Sequence, residues 1–170
     1  MDFRLRPLLA RVAVGATLIG LVLASSGCAD NVDAKNALKV TDVVTGWYDA
    51  GIVDGGKNKL VPSVSFRVQN TAGDRIRSVQ FNAVFRVIGD PEELGSGFVR
   101  GIDASGLLPG EHTKAFVLRS TLGYKGEQPR VQILQHSQFR DAQVQIFAKH
   151  GSKQWVMLGE YKVDRVLLTQ

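Results

Sequence analysis

An all-β domain, folded as an antiparallel β-sandwich of about seven strands, is what this sequence predicts. Apolar side chains recur at every second residue in several segments, as strands with one dry and one wet face require. Turn-forming residues separate those segments at short, regular intervals. Beyond residue 28 no long stretch repeats its apolar residues every 3.6 positions, so no helix longer than a turn is expected there. Half-wet alternation of this kind belongs to antiparallel rather than parallel sheets.

The N-terminus is of a different character. Arg4, Arg6 and Arg11 precede an apolar run from Val12 to Leu23, and Ala24-Ser25-Ser26-Gly27-Cys28 follows. A basic stretch, a short apolar run and then small residues are the parts of a secretory signal peptide, expected to be helical. The run falls short of the ~20 apolar residues needed to cross a bilayer. Cys28 is the only cysteine, which excludes an intramolecular disulfide and points to a modified or partnered thiol. The residues Ser26-Gly27-Cys28 resemble the lipobox of bacterial lipoproteins, with Ser25 in place of the usual Leu. That resemblance implies acylation of Cys28 and three regions: a signal peptide over 1–27, a lipidated tether over 28–36 and a sandwich domain over 37–170. It implies a cell-envelope location facing the periplasm. Ala29 in place of an inner-membrane retention Asp favours the outer membrane.

Composition narrows the classes further. The chain has 170 residues, 44% of them hydrophobic, which is enough for one core and typical of a globular domain. Its formal charge of +5 includes Arg4, Arg6, Arg11 and Asp2, so removing residues 1–27 leaves about +3. The remaining charges are scattered, and no nucleic-acid partner is expected.

Within the domain, Leu38–Trp47 is the first expected strand. Val64, Phe66 and Val68 alternate with Ser65, Arg67 and Gln69 in the second. Pro62 sits at its start, where a missing N–H does least harm. Val79, Phe81, Ala83, Phe85 and Val87 mark the third, with Asn70-Thr71-Ala72-Gly73-Asp74 expected as a hairpin loop between the two. Gly97–Ile102 and Thr113–Ser120 follow, separated by Pro109-Gly110, which fits the centre of a type II turn. Gly95-Ser96-Gly97 reads as a loop. Ala142 to Lys149 and Trp155–Val163 complete the set, joined by Gly151-Ser152-Lys153-Gln154. Between Gly123 and Phe139 the pattern is irregular; Val131, Ile133 and Leu134 fit either a short strand or one helical turn.

The strand Pro62 to Asn70 and the later Leu107-Leu108-Pro109-Gly110-Glu111 resemble immunoglobulin-like domains of bacterial lipoproteins, including the FxLYD type. Those domains have a strand ending in Asn and a Leu-x-Pro-Gly-Glu turn. The Tyr-Asp pair of the FxLYD name has no counterpart here, where Phe85-Arg86-Val87-Ile88 stands. The resemblance implies an immunoglobulin-like sandwich without catalytic function.

Chemistry-bearing motifs do not assemble. His112, His136 and His150 stand apart, without the spacing of metal ligands, and read as exposed loop histidines. No Gly-x-Ser-x-Gly elbow is present, and Gly55-Gly56-Lys57 precedes a strand where a phosphate-binding loop needs a helix. Glu92-Glu93 is solvated charge in a turn. No enzyme activity, cofactor or metal is therefore expected. The function expected instead is a lipid-anchored envelope module for binding or assembly, its partner another envelope protein. The alternatives are a small-ligand or lipid carrier, which needs a cavity between sheets, and an envelope enzyme with dispersed residues.

Exposed aromatics are the best anchors for recognition. Trp47 and Tyr48 are adjacent on a strand and must point to opposite faces, so one is core and the other outward. Phe147 shares its parity with Gln145 and Lys149 and faces out. Trp47 or Tyr48, with Tyr124 and Phe147, form the candidate partner surface. Trp155 shares its parity with Met157 and Tyr161 and is assigned to the core or a sheet edge.

The parity of these strands sets a stability order. Phe66→Ala, Phe81→Ala and Phe85→Ala should each cost about 3–5 kcal/mol in chemical denaturation, and Phe147→Ala much less.

Overall fold

The computed structural model describes residues 32–168, and the signal peptide and Cys28 lie outside the described residues. The chain runs α1 (Ala34–Ala37), β1 (Leu38–Val53), β2 (Lys57–Asn70), β3 (Val79–Val87), β4 (Glu93–Ile102), β5 (Phe116–Arg119), β6 (Tyr124–Gly126), α2 (Arg130–Gln135), β7 (Ala142–His150), β8 (Val156–Lys162) and β9 (Leu167–Leu168). One sheet has the order β5-β2-β1-β9, with β6 also on β2; the other has the order β4-β3-β7-β8. The two form an immunoglobulin-like β-sandwich. Two short strands, β6 and β9, are additions to the seven expected. The two-residue pairing of β9 with β1 is parallel, and the other ladders are antiparallel.

The frame is the β1–β2 hairpin, paired from Leu38↔Asn70 to Val53↔Lys57. Its turn places Asp54, Gly55 and Gly56 at positive φ. Two register shifts interrupt it, at Thr41/Val44 and Asp49/Ile52. They contain Asp42 and Gly51, both at positive φ, as bulge residues often are. The shifts change the parity of this long strand, so that Leu38, Val40, Val43 and Trp47 face the core while Val44 and Ile52 are exposed.

The segment after Asn70 is not the hairpin loop the sequence suggests. β2 and β3 lie in different sheets, and residues 71–78 carry the chain between them. Asn70, fully buried, holds this crossing. Its Nδ2 donates to the carbonyls of Asp74 (2.8 Å) and Leu107 (2.9 Å), and its Oδ1 accepts from Ala72 N (2.9 Å). Its backbone N donates to Glu111 O and its carbonyl accepts from Gly110 N. The Leu108–Glu111 turn closes through Glu111 N to Leu108 O at 3.1 Å. Gly110 there has φ +78°, as the third position of a type II turn requires.

The crossing makes Phe66 and Phe81 face one another across the sandwich, edge to face at 6.0 Å. Phe116 completes a three-ring cluster, 5.7 Å from Phe66 and 5.4 Å from Phe81. Phe85 is fully buried beside Val144 and Ile146 but outside this cluster. These large side chains fill the space between the sheets.

Gly95-Ser96-Gly97 is strand, not loop: it lies within β4. A Cβ on Gly97 would press on the backbone of Arg119, and one on Gly101 would overlap the Phe81 ring. Glycine here lets β4 approach β5 closely at the edge where the sheets meet. At the opposite edge the chain crosses from β8 to β9. The Thr45 hydroxyl donates to Lys162 O (3.0 Å) and accepts from Asp164 N (3.1 Å), clipping that crossing onto β1.

Residues 32–36, expected as part of a tether, are folded with the domain. Ala34 and Ala37 are buried and Val32 packs on the core. Asp33 caps α1, and Thr71 N bonds Ala37 O at 2.9 Å. Residues 32–37 thus belong to the folded domain, because α1 closes the end of the sandwich. The irregular stretch resolves as β6 followed by α2, which buries Ile133 and Leu134. Among the described residues no helix is long and apolar enough to cross a membrane.

Asn70→Asp keeps volume but cannot donate to the two carbonyls. It should lower unfolding free energy by at least about 2 kcal/mol at neutral pH, read as a shifted urea midpoint.

Candidate functional site

The four aromatic candidates separate into three places. Trp47 is fully buried, so it is not part of an exposed surface: its register opposite Pro62 turns it inward, beneath β6 and the segment after α2. It packs edge to face on Phe139 at 4.8 Å and lies 5.5 Å from Tyr124. Tyr48 takes the opposite face, half-buried, with the Arg119 guanidinium 3.5 Å above its ring. Phe147 is on the outer face of the other sheet, between Asn82 and Met157. The structure therefore unites Trp47 with Tyr124 and keeps Tyr48 and Phe147 apart from them.

Tyr124 opens onto a groove of about 330 Å³, lined by Lys125, Gln128, Ile133, His136, Gln138 and Phe139 as well. Its floor is aromatic: Tyr124 and Phe139 stack at 4.5 Å above Trp47. Its rim is polar and mixed in donors and acceptors. That combination, an apolar floor with a few directed polar groups, is typical of sites that bind small molecules or short chain segments. The local sequence explains the shape. Gly126 and Pro129 end β6 and start α2, and Ile133 and Leu134 pin the helical turn down. The chain then doubles back through His136, whose Nδ1 accepts from Gln138 N at 3.2 Å.

The groove is braced from below by Arg165. Its Nε donates to Asp141 Oδ1 (2.6 Å), its Nη2 to Phe139 O (3.2 Å) and its Nη1 to Leu134 O (3.4 Å). The guanidinium also lies 5.0 Å from the Phe139 ring. Tyr124 Oη accepts from Arg140 N at 3.3 Å. Arg130 pairs with Asp49, tying the start of α2 to β1. Trp47 Nε1 is enclosed with no acceptor among the described residues, and nothing in the structure explains it.

Two carboxylates bear the electrostatics of this end. The hydrogen bonds from Arg165 and then Lys162 hold the Asp141 carboxyl below its usual range. Arg130 does the same to Asp49.

The histidines lie apart. His112 is exposed beside the Pro-Gly turn, and His136 is on the groove rim. His150 is a correction: it is buried at the end of β7, because the alternation of that strand turns it inward. Among the described residues no group of three His, Cys, Asp or Glu could hold a metal ion.

A second surface escaped the sequence reading. Phe98, Asn82, Phe147 and Met157 form one row across the outer face of β4, β3, β7 and β8. Trp155 joins it, its ring 6.3 Å from Phe98 and 6.0 Å from Lys149 Nζ. Trp155 and Met157 are exposed, not core. A register shift between Ile146 and Phe147 inserts one residue in β8, so Met157 faces out while Tyr161, of the same parity, packs on the core.

No protein-family model matches this chain, and no curated protein matches it. Two solved structures show a distant likeness. One is a Northeast Structural Genomics Consortium target, 12% identical, with 76% of this chain and 88% of the other covered and a TM-score of 0.38. The other is a protein from Archaeoglobus fulgidus, 13% identical, with 75% and 100% covered and a TM-score of 0.32. Likeness at that level carries nothing about what this chain does.

The bracing carboxylate predicts a pH signature. A lowered folded-state pKa gives stability that is present above the unfolded carboxyl value, near 3.8, and is lost as pH falls through the folded value. Asp141→Asn should therefore lower the thermal midpoint at pH 7, with the gap to wild type closing as the pH falls below the ordinary carboxyl value of 3.8.

Proposed function

We propose that this protein is a lipid-anchored cell-envelope module that binds a partner and catalyses no reaction. The groove over Trp47, Tyr124 and Phe139 is the observation that carries the reading. Its floor is rigid and aromatic, its rim offers Gln128, Gln138, His136 and Lys125 as hydrogen-bond partners, and it opens outward on the sandwich. Such a groove suits a short extended segment of another envelope protein, with an apolar side chain on the floor and its backbone along the rim.

The anchor comes from the lipobox-like residues ending at Cys28. Thioether attachment of a diacylglycerol and acylation of the new amino group give several chains, at about 0.8 kcal/mol per buried CH₂. Such an anchor keeps the domain at the surface of one membrane, the outer one on the strength of Ala29. A core filled by Phe66, Phe81, Phe85 and Phe116 disfavours the carrier alternative, which needs its space between the sheets.

Two measurements test the two halves. Cys28→Ser should move the protein from the membrane to the soluble envelope fraction; unchanged membrane association overturns the anchor. A photoreactive residue at Gln138 should cross-link to one discrete envelope protein in intact cells. The same probe at Val117, exposed on β5 away from the groove, should not. Tyr124→Ala should abolish that adduct while the domain stays folded by circular dichroism. Equal cross-linking from both positions, or an adduct indifferent to Tyr124, overturns the groove.

A further inference from the structure

The outer face of β4, β3, β7 and β8 carries an aromatic and basic patch whose place in the fold bears on how the domain sits. Phe98, Trp155 and Met157 are exposed there, 55%, 38% and 45% respectively. Arg100 and Lys149 both pair with Gln80 and flank it on the same face. Lys149 also sits beside the Trp155 ring. Exposed aromatic and basic groups together are the composition of a surface that meets a bilayer. Trp prefers the headgroup level, and Lys and Arg are drawn to anionic lipid.

The patch lies at the end where the chain enters the domain. α1, which begins two residues after Val32, closes the end of the sandwich beside β7 and β8, and a recess of about 300 Å³ runs from Val32 and Ala34 to His150 and Val156. Lys153, two residues before Trp155, donates to the carbonyl of Val32 at 3.1 Å. Four links separate Cys28 from Val32, so an anchor on Cys28 lies no more than ~14 Å from it. That reach is too short to hold this end of the domain clear of the headgroups.

We propose that this face docks on an anionic bilayer surface, with Trp155 and Phe98 at headgroup level and Arg100 and Lys149 against the phosphates. The inference rests on lipidation of Cys28, which the experiment reads separately. Docking fixes the orientation of the domain and leaves the groove, at the far end of β1 and β2, directed away from the membrane.

The test uses the full-length processed protein reconstituted into phosphatidylcholine vesicles, with or without phosphatidylglycerol. Flotation reports the anchor. Quenching of tryptophan fluorescence by lipid brominated near the headgroup reports docking. Trp47 is fully buried and supplies the unquenched background. The protein should float on both vesicle types and be quenched at least twofold more on the anionic ones. Trp155→Phe should remove the quenchable part, and Arg100→Glu with Lys149→Glu should abolish the anionic excess without changing flotation. Floating protein with Trp155 unquenched on anionic vesicles overturns the docking; a partner protein or a second copy then covers the face. Failure to float overturns the anchor and the proposal with it.

Discussion

Asn70 holds the point on which the architecture turns. A strand that leaves one sheet must cross to the other without stranding its polar groups in a dry space, and buried groups left unpaired cost about 1–3 kcal/mol each. One fully buried amide satisfies two carbonyls and one N–H from three separate loop residues. The crossing then sets Phe66 against Phe81 and brings the 107–111 turn back to the end of β2. Had the same residues closed a tight hairpin, β3 would pair with β2 and the two faces could not enclose a core.

A second polar hub works at the other end. Arg165, held by Asp141, reaches the backbone of Leu134 and Phe139, and Thr45 ties down the return from β8. The sandwich is therefore closed by specific side chains at both ends and by packed rings between them. At the Arg165 end this polar support also shapes a concave surface, because the segment it rivets is folded over Trp47 instead of lying flat on β2.

Much of the fold was legible because period two is a strong local signal: β3 emerges with its bounds as read, and β7 within a residue. Sheet membership was not legible, since alternation reports which side chains are dry and not which neighbour supplies the dryness. Asn70-Thr71-Ala72-Gly73-Asp74 has the chemistry of a turn in either topology. Strands of two or three residues, such as β6 and β9, carry no period to read. The candidate surface failed for related reasons. Adjacency required that Trp47 and Tyr48 divide, but only the register against Pro62 decides which goes in. Trp155, read as core or sheet edge, leads into the edge strand β8 and is exposed, and its shared parity with Tyr161 misled because an inserted residue in β8 breaks that parity. Phe98 was missed because Gly95, Gly97 and Gly101 hide the alternation of β4.

The long β1–β2 ladder has a mechanical consequence. Under the proposed function, in which the domain is anchored and holds a partner, the pull would act at two points, the start of β1 and the groove beside β6, which pairs with β2 at Leu60. Those points lie roughly 35 Å apart along the strands, by the usual rise per residue. The force runs parallel to the strands, and the hydrogen bonds of the ladder lie across it. Tension then loads many bonds together in shear instead of opening them one after another. The bulges at Thr41/Val44 and Asp49/Ile52 lock the two strands against sliding, since a slip of one residue would carry the apolar side chains of both to the wet face.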